Sequence, residues 1–144
     1  MIDFPPSVQA DDPAVNAFVR EAIGTCVGGD YERFRLLWNV REDPFPRGEF
    51  ERGWKAVRKV TVVAVQKMRN PPEGGAFEGK YLYYVHGRVE LDASVPDPRR
   101  EVLLLIVREG EQWRLARAPR YLRQQVLGEE NGEPASPSSR PAAP

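Results

Sequence analysis

KYLYYVHGRVELDA (Lys80–Ala93) and EVLLLIVREGEQWRLARA (Glu101–Ala118) are the two runs on which the fold of this chain turns. In the first, Tyr81, Tyr83, Val85, Gly87, Val89 and Leu91 share one parity, and Leu82, Tyr84, His86, Arg88, Glu90 and Asp92 share the other. Strand side chains alternate between faces, so Lys80–Ala93 reads as a long strand whose Tyr83 side, the more apolar, turns inward. The second run begins Val102-Leu103-Leu104-Leu105-Ile106-Val107, apolar on both parities, and so reads as a strand, Glu101–Glu109, covered on both faces. Gly110 provides the hairpin turn, Gln112–Ala118 is the returning strand, and Pro119 ends it.

Upstream, Lys59–Met68 is rich in β-branched residues (Val60, Thr61, Val62, Val63, Val65) and reads as one more strand, giving about four in an antiparallel sheet. Residues 69–79, with Pro71-Pro72 and three glycines, and Ser94–Arg100, with Pro96 and Pro98, read as loops. Before Lys59 the period is 3.6. Asp12-Pro13 is a helix start, with Asp12 as N-cap and Pro13 where a missing N–H costs nothing. Val15, Phe18, Val19, Ala22, Ile23 and Cys26 then recur on one helical face until Gly28-Gly29. Asp30 caps a second helix with Tyr31, Phe34, Leu37 and Trp38 inward, and a third, after the break at Pro44-Phe45-Pro46, carries Phe50, Trp54 and Val57. The organisation expected is a lead-in (1–11), one α+β domain (12–127) and a Pro/Ser/Ala-rich tail (128–144) that cannot bury a core and is expected to be disordered.

A chain of 144 residues is one domain by length, long enough for a core without staples. One cysteine, Cys26, excludes an internal disulfide, and one histidine, His86, leaves a metal site without support. No cofactor is implied: Gly28-Gly29 and Gly74-Gly75 are isolated pairs rather than a phosphate loop. Met1–Pro6 has neither a basic nor an apolar signal region, and no apolar run reaches the ~18 residues of a membrane span, so a cytoplasmic location is expected. Residues 1–54 carry 6 Arg against 10 Asp or Glu, and residues 55–127 carry 14 Lys or Arg against 8 Asp or Glu. The acidic helical part and basic strand part favour association with a charged partner, while the net charge of zero is not that of a nucleic-acid binder.

Three local patterns, Phe18 to Phe34 with Gly29-Asp30-Tyr31, the passage from Trp54 to Val65, and Gly110-Glu111-Gln112-Trp113-Arg114-Leu115, resemble the NTF2-like (cystatin-like α+β barrel) superfamily over residues 12–118. The resemblance implies helices packed in a strongly bent sheet, a cone able to hold a small ligand, and a homodimer through the sheet's other face. Members of that superfamily include isomerases, dehydratases, cyclases and transport factors, so function has to be argued from the site.

Trp38, Trp54, Tyr83 and Trp113 are the expected lining of a ligand pocket, against the plainer reading that these rings are core. Leu82, Tyr84, His86 and Arg88 are the expected interface, because Leu82, Tyr84 and one parity of Val102–Val107 would leave an apolar patch open in a monomer. Arg114, Arg117, Arg120 and Arg123 recur every third residue and suit a solvated edge or an acidic protein partner. Acid–base candidates are few: Tyr83 with Asp92 or Glu90, or His86 on the outer face. The reading is therefore a non-enzymatic dimer binding a small apolar ligand or a protein, with a small cofactor-free isomerase, dehydratase or cyclase as the alternative.

Overall fold

The structure, a computed structural model, describes residues 1–68, 82–94 and 99–128. The expected loop 69–79, residues Lys80 and Tyr81, most of the 94–100 loop and the tail beyond Gly128 lie outside the described residues. The rest is a mixed α+β arrangement of one five-stranded sheet and four helices.

Local chemistry sets each helix. The Asp12 side chain accepts the Ala14 N–H at 2.9 Å and starts α1 (Pro13–Val27), which ends at Gly29, where φ is +71°. The Asp30 carboxylate accepts the Arg33 N–H at 3.1 Å and starts α2 (Tyr31–Leu36). Leu37 and Trp38, expected on that helix, follow it and are buried. Helix α3 (Arg47–Trp54) buries Phe50, and Val57, expected as its last contact, already belongs to the next strand.

The sheet runs β1 (Ile2–Asp3), β2 (Val57–Met68), β3 (Leu82–Leu91), β4 (Arg99–Glu109), β5 (Gln112–Ala116), in that order across. Neighbours are antiparallel except β1, which pairs parallel to β2 through Ile2–Val60 and Asp3–Thr61. This fifth strand corrects the expected count. Two residues carry no periodicity to read; further along the lead-in, the Asn16 side chain both accepts from and donates to the Ala10 backbone at 2.8 Å and ties it to α1.

Register shows why β2 does not alternate cleanly. Val62 pairs with Gly87 and Ala64 with His86, so Val63 is an extra residue that shifts the parity. Val60, Val62 and Val65 therefore all face α1 despite an odd step between the last two. Gly87 sits inward beneath that shift, where a Cβ would lie 3.2 Å from Val102 Cγ2 and 3.6 Å from Val60 Cγ1.

The inner face of β3 is the expected one: Val85 and Val89 are buried with Val15, Phe18, Val19 and Ile23 of α1, and Tyr83 and Leu91 pack beside them. The outer face departs from expectation. The patch expected to stand open is covered within the chain by α4 (Arg120–Leu127). Leu122 is buried against Leu82, Leu103, Leu105 and Val107, with Val126 and Leu127 packed alongside, and Leu82 is only 2% exposed. The apolar parity of β4 needs a cover, and an eight-residue amphipathic helix returning after Pro119 is the nearest one.

Ending the chain at Pro119 is expected to uncover this face and drive concentration-dependent self-association, seen by light scattering, whereas ending it at Gly128 is not. Leu122→Ala should lower unfolding free energy by about 2–5 kcal/mol in denaturant titration.

Candidate functional site

Strand β5 pairs with β4 only from Leu105 to Glu109, while β4 begins at Arg99, so Leu103 and Leu104 run on past the end of β5. The free edge of β5 is taken up by the segment after α2. The Leu115 N–H donates to the Leu37 carbonyl at 2.7 Å, and the Asn39 N–H donates to the Leu115 carbonyl at 2.9 Å. Asn39 is buried and saturated: its Nδ2 donates to Leu115 O at 2.8 Å and Glu42 Oε1 at 3.0 Å, and its Oδ1 accepts from the Arg41 N–H at 2.9 Å. Glu42 Oε1 also accepts the Arg117 backbone N–H at 2.8 Å, so one carboxylate ties the 37–42 segment to the chain leaving β5.

Beside this seam lies a cavity of about 510 Å³. Its walls are Phe34, Trp38, Phe45, Phe50 and Trp54 from the helical layer, with Cys26 of α1 and residues Leu103, Leu104 and Leu115 of the sheet. The rings hold one another: Phe34 and Phe50 at 4.6 Å between centroids, Phe34 and Trp38 at 5.8 Å, and Trp38 and Phe45 edge-on at 5.4 Å. The Tyr31 hydroxyl donates to the Phe45 carbonyl at 2.6 Å and fixes the Pro-flanked turn that carries that ring. Glu49 of α3, Arg117 just after β5 and Arg123 of α4 are its charged lining residues. The Arg117 guanidinium carbon stands 4.5 Å from the Phe45 ring centre and 5.8 Å from that of Trp38, and one of its N–H groups donates to the Asp43 carbonyl at 3.3 Å. Among the described residues the buried Trp38 indole N–H has no acceptor, and it is ring packing that places this side chain.

Of the four expected pocket residues, Trp38 and Trp54 line this cavity. Tyr83 and Trp113 do not; they pack edge-on against each other, 5.5 Å apart, where β3 and β5 flank β4. Phe45 and Phe50 take their place. The signal for Phe45 was present, an aromatic between two prolines, but it reads locally as a helix break.

The acid–base candidates are not brought together. Asp92 lies nine residues along from Tyr83, about 30 Å at the rise of a strand. Its carboxylate is paired with Arg58 and accepts the Ser94 N–H at 3.1 Å. The hydrogen bond from Arg58, then those from Ser94, hold its pKa down to about 2, which makes it a poor base. Glu90 is exposed on the outer face. His86, also on the outer face, has a partner: its Nε2 is 2.7 Å from Glu101 Oε1. That pair stands on the sheet surface with Arg88 exposed beside it, on the opposite face from Tyr83. Tyr84 is half-buried near the α4 cover. Two of the four regularly spaced arginines, Arg117 and Arg123, converge on the cavity, while Arg114 engages Gln112.

Among the described residues, no three His, Cys, Asp or Glu side chains gather closely enough to hold a metal ion, and no helix is long and apolar enough to cross a membrane. Set beside known proteins, the chain matches no family model, no curated protein and no solved structure.

Burial pushes the Cys26 thiol up to about 12. Its ordinary value is about 8.5, so the folded protein resists ionising it, and this part of the stability is full below pH ~8.5 and is lost as the pH rises toward 12. Between pH 7 and pH 10 the loss from this group should be about 2 kcal/mol, read as the difference between the native chain and Cys26→Ala in urea unfolding.

Proposed function

We propose that this protein is a non-catalytic binding domain of the NTF2-like kind, holding a small apolar molecule in the cavity at the open end of β5. The cavity carries the reading. Its volume of about 510 Å³ falls in the range typical of small-molecule sites, and its walls are aromatic and aliphatic with three charged residues among them. Helices α1–α3 precede the antiparallel strands β2–β5 and pack on one face of them, the order that the superfamily resemblance implies, while β1 and α4 stand outside that pattern.

Binding is favoured over turnover on two grounds. The alternative needs Tyr83 to act with Asp92 or Glu90, and strand geometry sets those residues about 23–30 Å apart. The thiol on the cavity wall is held protonated by burial, which deprives it of nucleophilic character. A dimer through the sheet would have to use the uncovered part of the outer face, around His86, Arg88 and Glu101, since α4 occupies the apolar part.

Decanol or a similar neutral alkyl probe should bind at one site per chain and shift the fluorescence of the Trp38 and Trp54 rings. Ala118→Trp places an indole on the cavity wall without deleting a core side chain. It is expected to weaken that binding about tenfold or more while leaving the unfolding midpoint near that of the native chain. Undiminished binding in the variant would move the ligand elsewhere.

A further inference from the structure

We propose that the ligand is an amphipathic carboxylate, its apolar body among the rings and its head group on the guanidinium of Arg117. The inference rests on the cavity being the binding site and adds the charge and orientation of what it takes.

The aromatic walls alone would suit an organic cation as well as a neutral molecule, since the faces of Trp and Phe attract positive charge. Here the Phe45 and Trp38 rings already have a cation of the chain against them. Arg117 stands over Phe45 at 4.5 Å and near Trp38 at 5.8 Å, so an incoming cation would have to displace it or lie against it. Arg123 adds a second positive charge to the wall, and Glu49 is the single carboxylate there. The balance on the wall is one positive charge, at the edge of an apolar space.

Arg117 is also pre-positioned. Its backbone N–H is held by Glu42, and its guanidinium carbon rests 4.5 Å from the centre of the Phe45 ring. A guanidinium has five N–H donors, and among the described residues Asp43 takes one of them, through its carbonyl. The flat, forked donor set that is left matches two carboxylate oxygens in a way that a hydroxyl cannot use. Arg117 is exposed, which keeps the expected preference modest, about tenfold rather than thousandfold.

The test is a calorimetric titration of the full chain with decanoate, decanol and decylammonium, each below its micelle-forming concentration. Decanoate is expected to bind about tenfold more tightly than decanol at low salt, the ratio narrowing as salt is raised. Arg117→Gln should bring decanoate down to the level of decanol measured in the same variant, and an undiminished decanoate-to-decanol ratio would overturn the proposal. Should that variant not fold, the decanoate-to-decanol ratio of the native chain decides alone. Decanol binding as tightly as decanoate, or decylammonium binding most tightly, overturns the proposal and leaves the cavity as a binding site. If none of the three binds or shifts the tryptophan fluorescence, the site itself is wrong and the proposal falls with it.

Discussion

Strand β4 has no polar face, and the molecule is arranged around that constraint. Leu104 and Ile106 point to the helical layer, while Leu103, Leu105 and Val107 point the other way. Each such side chain is worth about 1.5–3 kcal/mol when removed from water, so leaving either face wet would forfeit a large part of a domain's stability. Helices α1, α2 and α3 close one face. The other is closed by Leu122, Val126 and Leu127, and the whole direction of the chain after Pro119 follows from it. The bulge at Val63 serves the same end from β2, since it keeps Val60, Val62 and Val65 on the α1 side of a strand that would otherwise turn one of them outward.

A second constraint comes from the shortness of β5. A five-residue edge strand exposes unpaired backbone, and here the Leu37–Asn39 segment pairs with it through Leu115. Asn39 and Glu42 then saturate the polar groups that the junction buries. What remains beyond Ala116 is a stretch of β4 with no β5 beside it, and the aromatic side chains of the helical layer stand over that gap. The cavity is thus a consequence of unequal strand lengths rather than of any one residue.

Much of this was legible from periodicity. The caps at Asp12 and Asp30, the inward face of β3, the two-sided burial of β4 and the turn at Gly110 all rest on local rules that tertiary context did not override. What could not be read was non-local. Ile2 and Asp3 are a strand only because β2 has a free edge. The apolar parity of β3 and β4 looked open because nothing in Tyr121–Leu127 says which surface it will return to. Tyr83 and Trp113 were grouped with Trp38 and Trp54 by residue type, but their positions on β3 and β5 place them away from the gap. Phe45 and Phe50 contribute through a turn and a helix whose placement depends on the Tyr31 hydroxyl and on stacking with Phe34.

The size of the cavity carries one more consequence. At about 24 cal/mol per Å³, a sealed dry void of 510 Å³ would cost about 12 kcal/mol, close to the entire unfolding free energy of an ordinary domain, about 5–15 kcal/mol. A fold of this size cannot carry that, so the space has to communicate with solvent or be filled. Water is a poor tenant between Phe34, Phe50 and Trp54, where it finds few hydrogen-bond partners. An apolar body that displaces it would lie against the half-buried Phe45 and Trp54 rings, since Phe34, Phe50 and Trp38 are already buried. On the proposed reading, the arginine over the Phe45 ring decides which end of an apolar ligand goes in last.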